Sequence, residues 1–338
     1  MCSISGFISS KPLPKWKANR LAAALLYYGT ARGSQSSGVY NHTNRKLFKR
    51  AVDAEKFIDL AEFHAVFDGP TSLVLCHNRQ PTCGGTGDDQ AQPFIQGDTV
   101  SIHNGWYPQM KKLAETWGLV KPSGVDSELA TAFIDTYGIE MLPLFLEDAQ
   151  GSSAIATIWQ DNLYVVRNGG PMYYLRFNDT EDREITIFAS TDDILMHAAR
   201  HVWLLLPRKW KAEMVTFDQI YKMTPGAMEK IGEPIQAKHY YRGEYEGLKH
   251  TVHTVFNGHV IGAPSLGNRP DDIAKDLERD KKKEDEKPPK LNLGKKDRHK
   301  GRKHNGVKHH PDCKCYQCRF DEDVDIQFFG NGGGDDGP

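Results

Sequence analysis

Short apolar runs rich in β-branched and aromatic residues recur along the chain at 2–9, 72–78, 99–103, 153–159, 162–167 and 184–190, each bounded by Gly, Pro, Asn or Asp. Such runs predict strands. Asp161-Asn162, between two of them, predicts a hairpin turn. Elsewhere the period lengthens. Residues 16–28 place Leu21, Leu25 and Tyr28 on one face and stop at Gly29, and residues 127–137 repeat Leu129, Phe133 and Tyr137 before Gly138. Both stretches predict amphipathic helices. Strands drawn from distant parts of the chain, with helices carrying one apolar stripe each, imply layered α+β packing rather than regular βαβ alternation.

The pattern ends near residue 230, and from about residue 268 large apolar residues almost disappear. Such a stretch cannot offset the entropy of ordering, so a disordered linker is expected. Its charge is polarised: residues 281–308 hold twelve Lys or Arg against four Asp or Glu, whereas 321–337 hold six acids and no base. The expected organisation is therefore one domain over 2–245, a charged and largely basic linker over 246–308, a Cys/His-rich segment over 309–320 and an acidic, Gly-rich tail over 321–338.

Composition narrows the class without naming a partner. Of 338 residues, 39% are hydrophobic and 26% charged, with a formal charge of -1, so no overall attraction to nucleic acid or membrane follows. No window approaches the ~18–20 apolar residues that cross a bilayer, and MCSISGFISS lacks the basic start and long apolar run of a signal peptide. A cytoplasmic protein without membrane contact is expected. The six cysteines, at 2, 76, 83, 313, 315 and 318, do not form the framework of a small secreted scaffold and read as reduced thiols.

Cys2 is the first candidate for chemistry. Methionine aminopeptidases remove Met before small residues, which would leave a thiol and a free α-amine on one residue. The amine, with a reference pKa of about 7.7–8.0, can take the thiol proton and return it to a leaving group. Such a nucleophile attacks an amide carbonyl and forms a covalent acyl intermediate. A cysteine that is merely tolerated at position 2 is the alternative.

The rest of the chain bears on that choice. MCSISGF, ARGSQSSG at 31–38, CHNRQPTCG at 76–84, IHNG at 102–105 and VDSELA at 125–130 follow one another in order. Together they resemble the class II glutamine amidotransferases, the N-terminal-nucleophile family whose glutaminase domain occurs in asparagine synthetase and glucosamine-6-phosphate synthase. RNGGP at 167–171, FASTDDIL at 188–195 and TPGAMEKI at 224–231 resemble the closing scaffold of the same domain. The resemblance implies a four-layer αββα sandwich over about residues 2–230, hydrolysis of L-glutamine to glutamate and ammonia through a Cys2 thioester, and no cofactor for that reaction.

Carried over by position, the resemblance assigns Asn104, through its side-chain amide, and Gly105, through its backbone N–H, to an oxyanion hole. An Asn-Gly pair is also a common turn. Arg79 would pair with the substrate α-carboxylate, which a guanidinium can grip in bidentate fashion, or form a surface ion pair. Thr82 would hold the substrate backbone, or cap a turn beside Pro81. Asp126 would bind the substrate ammonium and could also serve as the N-cap of the helix at 127–137. Arg32 and Gly33 match the Arg-Gly motif that orders the pocket. The sequence departs from the family at Ser3 (usually Gly), at Gln35 (usually Asp nearby) and at Gln80-Pro81-Thr82-Cys83 (usually Trp-Ala-Thr-His). The last departure puts the preferred amide in question. Cys76 reads as a buried small hydrophobe.

Nothing after about residue 240 is long or apolar enough for an ammonia-consuming synthase, so a separate partner synthase is expected. In the tail, Cys313, Cys315 and Cys318 with His309 or His310 could supply four zinc ligands, or form a flexible Cys/His tract. The basic run beside them could contact nucleic-acid phosphates, or be a solvated linker. Two other functions stay open: a free-standing hydrolase of γ-glutamyl amides, and an inactive scaffold that binds nucleic acid or a protein partner through its tail.

Overall fold

The six apolar runs are strands, and they are buried on both faces because each lies inside a stack of layers. A computed structural model describes residues 2–81, 84–120, 123–203 and 211–236, with the backbone of Lys303–His304 and Val307–Lys308. In chain order the elements of the first part are β1 (Ser3–Leu13), α1 (Lys15–Gly29), β2 (Ser36–Asn41), β3 (Lys46–Arg50), the short α2 (Ala54–Ile58) and α3 (Ala61–Ala65), and β4 (Thr71–Arg79). They continue as β5 (Phe94–Gln96), β6 (Thr99–Trp106), α4 (Met110–Thr116), α5 (Ser127–Tyr137), α6 (Leu142–Ala149), β7 (Ser152–Trp159) and β8 (Asn162–Arg167). The last are β9 (Tyr173–Asn178), β10 (Glu184–Ala189), α7 (Asp192–Val202), β11 (Glu213–Met214), β12 (Gln219–Met223) and β13 (Met228–Ile231).

Two sheets result, in the orders β11-β9-β10-β1-β4-β2-β3 and β13-β12-β8-β7-β6-β5. Ile4, Leu73, Leu75 and Phe188 of the first meet Val100, Ile102, Ala154, Ala156 and Val165 of the second in a shared core. On the far side of the second sheet, Leu129 and Phe133 of α5 and Leu142 and Phe145 of α6 pack on Ile155, Tyr164, Val166 and Ile220. On the far side of the first, α1 lies against β1 and β4 and beside α7. Helices therefore cover both sheets, as the αββα expectation required. No described helix is long and apolar enough to cross a membrane.

Details differ from the sequence reading where side chains compete. The β7–β8 turn is centred on Gln160-Asp161, with φ of 47° and 59°, and Asn162 pairs with Trp159. The turn lies one residue before the expected Asp161-Asn162, which keeps the buried parity of Leu163 and Val165 intact. In α5, Leu129 and Phe133 are buried but Tyr137 is exposed, its hydroxyl donating to Trp117 O.

The chain divides into two units, Met1–Gly247 and Leu248–Pro338, and the sandwich belongs to the first. In the second, Lys303–His304 pairs with Val307–Lys308 as a short antiparallel hairpin. The expected domain limit at 245, the expected disordered linker apart from this hairpin, and the acidic tail lie outside the described residues.

One ionic cluster ties α1 to the β9–β10 connection. Asp179 Oδ2 accepts from Arg183 Nη1 at 2.9 Å and Lys17 Nζ at 3.4 Å, and its Oδ1 accepts from the N–H groups of Glu181 and Arg183. Burial opposes ionisation of Asp179, but these N–H groups and cations outweigh it and hold its pKa below the usual carboxylate range. A carboxylate depressed in the folded state contributes stability above its unfolded pKa and loses it as pH falls through the folded one. Asp179→Asn is expected to cost about 3 kcal/mol at neutral pH, read from denaturant midpoints. That cost should shrink as pH falls below about 4, where the unfolded carboxyl takes up a proton, and be lost once pH has fallen through the lower folded pKa.

Candidate active site

β1 begins one residue after Cys2 and runs between β10 and β4, so the thiol is delivered to the mouth of the sandwich by a central strand. Cys2 N donates to Asn104 Oδ1 at 3.1 Å, a bond from the first sheet to β6 of the second. Arg32 Nε donates to Cys2 O at 3.1 Å, fixing the other side of the same residue. Gln80 closes the third side, its N–H approaching Cys2 Sγ at 3.4 Å. Cys2, Arg79, Gln80, Gln92, His103, Gly105 and Asp126 line a narrow cleft whose cavity volume is about 10 Å³, room for a single water.

The two charges predicted for an amino-acid ligand are both here and both buried. Arg79, 3% exposed at the end of β4, donates from Nη1 to Gly85 O at 2.6 Å. Asp126, also 3% exposed, accepts at Oδ2 from Tyr107 N at 2.9 Å. Asp126 stands at the N-cap position of α5 without a side-chain cap bond, because its helical φ and ψ of -64° and -31° turn the carboxylate toward Tyr107 instead.

β6 supplies a second set of groups. It pairs with β7 from Val100 to Trp106, but β5 reaches only as far as Ser101 on its other edge. His103 turns its N–H and carbonyl to that other edge, and by the two-residue period of a strand Gly105 turns its N–H the same way, toward the cleft. A Cβ on Gly105 would lie 1.9 Å from Ser152 O, so only glycine permits this approach of β6 to β7. With Asn104 Oδ1 held by Cys2, the Nδ2 end of the amide faces Gly170. Gly33 serves a similar steric need: a Cβ there would meet Asn78 O and the Arg79 carbonyl carbon at 2.7 Å. Arg32 and Gly33 thus brace Cys2 and Arg79 from behind.

The structure adds groups that the sequence did not single out. Gln92, Ser127, Tyr107 and Ser153 form a buried polar chain around His103, whose ring stacks on Tyr107 at 4.8 Å. Nothing in the sequence marked Gln92 beyond its place before Pro93. Burial pushes His77 down to about 3, so its neutral ring donates from Nε2 to His103 O at 3.3 Å. Cys76 is fully buried on β4, and burial raises its thiol out of reach of ionisation. Thr82, Cys83 and the tail residues His309, His310, Cys313, Cys315 and Cys318 lie outside the described residues, and among the described residues no group of side chains suits a metal ion.

Burial also raises the Cys2 pKa, opposed by the Gln80 N–H, the amino terminus and Arg79, and reinforced by Asp126. Asp126→Asn should therefore move the pH profile of Cys2 alkylation by iodoacetamide to lower pH, and Arg79→Met should move it higher. Profiles unmoved by both changes would mean that neither charge acts on the thiol.

Comparison with known proteins gives a consistent relationship. No family model matches the chain. The chain is 25% identical over 276 residues to the isomerizing glutamine–fructose-6-phosphate aminotransferase of Gluconobacter oxydans, covering 77% of this chain and 43% of that protein. It is 29% identical over 188 residues to the enzyme of the same name from Acinetobacter baylyi, covering 51% and 29%. It thus spans less than half the length of these curated relatives. Among solved structures, the glutamine phosphoribosylpyrophosphate amidotransferase of B. subtilis superposes with a TM-score of 0.52 at 16% identity, over 70% of this chain and 49% of that one, a likeness of fold. These findings bear out the resemblance to the class II glutamine amidotransferases.

Proposed function

We propose that this class II glutamine amidotransferase domain hydrolyses L-glutamine to glutamate and ammonia, with Cys2 as nucleophile after removal of Met1. The observation that carries the proposal is the position of the Cys2 thiol, in one cleft with Arg79 and Asp126 and bonded through its own backbone to Asn104. A free α-amine at Cys2 N would remain beside Asn104 Oδ1 and could take the thiol proton without reaching past its own residue. The thiolate attacks the side-chain carbonyl carbon of glutamine. Asn104 Nδ2 and the Gly105 N–H receive the charge on oxygen, and the ammonium of Cys2 protonates the departing ammonia. Water then cleaves the thioester and the thiol recovers its proton.

Arg79 and Asp126 are assigned to the α-carboxylate and α-ammonium of the substrate, with Thr82 on its backbone and Arg32 and Gly33 in support. The cleft is too narrow for an amino acid at its present width, so binding must widen it. The matched relatives are named for transfer to fructose-6-phosphate, and the chain spans less than half of them. We assign the ammonia-using step to a separate synthase.

Glutamate release from glutamine by the full chain tests the reading. Cys2→Ala should abolish it, Asn104→Ala should lower kcat by about 10²–10³-fold, and Arg79→Met should act mainly through KM. Faster turnover of γ-glutamyl conjugates than of glutamine would transfer the activity to the amidase alternative. Full release of ammonia by the chain alone, with no specific partner captured from its native host, would count against the partner synthase.

A further inference from the structure

The polar groups of the cleft are joined by a side chain that none of the assigned roles uses. β5 leaves the edge of β6 after Ser101, yet the next inward-turned peptide on that edge, that of His103, is fully bonded. The bonds that span both its ends come from Gln92, and His77 Nε2 adds one to the carbonyl alone. Gln92 Oε1 accepts from His103 N at 2.6 Å, and its Nε2 donates to His103 O at 3.1 Å. A primary amide offers one acceptor and two donors, so bonding both ends of one residue reproduces what a neighbouring strand does in an antiparallel ladder. The second donor is used as well, toward Ser127 Oγ at 3.1 Å, and Ser127 meets His103 Nδ1 at 2.9 Å.

Gln92 is itself immobilised. It is 2% exposed, and its carbonyl oxygen lies 2.0 Å from where a Cβ on Gly38 would stand. Lys49 Nζ pins the chain on either side, donating to Ala91 O at 2.7 Å and to Pro93 O at 3.5 Å. The residues after His103 on the same strand are Asn104, which meets Cys2 N, and Gly105, whose N–H turns to the same open edge.

We infer that Gln92 is a positioning residue, a side-chain substitute for the missing strand that fixes the distance between the oxyanion donors on β6 and the nucleophile at Cys2. It acts through His103 and contributes no proton and no bond to the reacting atoms. The inference rests on the proposed glutaminase reading for its catalytic consequence, but the structural part stands apart from it. Without the Gln92 amide, two bonds to a buried peptide are lost and the β6 edge can shift. A donor that moves by a fraction of an ångström forfeits transition-state stabilisation while leaving substrate binding nearly intact.

Two substitutions and two readouts test this in the full chain. Gln92→Met keeps the length and removes all three side-chain hydrogen bonds, two to His103 and one to Ser127. It should lower kcat for glutamine by about 10²-fold with KM changed by less than about threefold, and speed hydrogen exchange of the peptide spanning 99–106. Gln92→Glu separates positioning from packing. An ionised carboxylate cannot donate to His103 O, whereas a protonated carboxyl offers both a donor and an acceptor. The ratio of variant to native kcat should therefore rise as pH falls, while the ratio for Gln92→Met stays flat. A kcat within twofold of native for Gln92→Met, or equal pH dependence in both variants, would overturn the inference. If the native chain does not hydrolyse glutamine, the glutaminase reading fails on its own, and unchanged exchange over 99–106 in Gln92→Met would then refute the structural role independently.

Discussion

The hydrogen bond from Cys2 N to Asn104 Oδ1 joins the residue that leads into one sheet to the open edge of the other, and the geometry of the site depends on it. Cys2 is held on three sides: by β1 between β4 and β10, by Arg32 on its carbonyl, and by Asn104 on its nitrogen. The interaction also fixes which end of the Asn104 amide is left over. With Oδ1 committed to Cys2, the remaining Nδ2 faces Gly170, and in the proposed reaction it is the end of the amide left to donate.

The surroundings of that bond are partly buried and contain opposed charges. Burial disfavours the Cys2 thiolate, Arg79 favours it and Asp126 disfavours it, so the thiol rests protonated and its ionisation responds to whatever occupies the two charged residues. In the proposed reaction a zwitterionic substrate would neutralise both charges at once. Neutral His77 and His103 add hydrogen bonds to the same region without adding charge, because burial holds both below the usual imidazole pKa.

What the sequence revealed and what it hid have physical causes. The strands of both central layers were legible because residues such as Ile4, Leu75, Ile102 and Val165 must be apolar wherever two sheets meet. Helix α5 was legible from its repeat of four. Tyr137 broke that repeat by turning to solvent, since an amphipathic phenol can cover Trp117 and remain wet. The residues assigned to the ligand in the proposed reaction are marked by chemistry that few other positions need, as with Arg79 at a strand end and Asn104-Gly105 at a close approach of two strands. Gln92 carried no such mark. A lone glutamine before a proline has no period and no motif, and its meaning arises only from the place where β5 stops. The role of Asp126 was half legible, since its charge was readable but its bond to Tyr107 depends on a backbone angle that no local pattern specifies.

The central claim is that Cys2 is the nucleophile and the processed amino terminus of the chain. Its most direct test is intact mass and peptide mapping of the protein from its native host, before and after exposure to a reactive diazoketone analogue of glutamine. The account predicts that Met1 is absent and that a single adduct forms on Cys2, suppressed by excess glutamine. Retention of Met1, or an adduct on any residue other than Cys2, would contradict it.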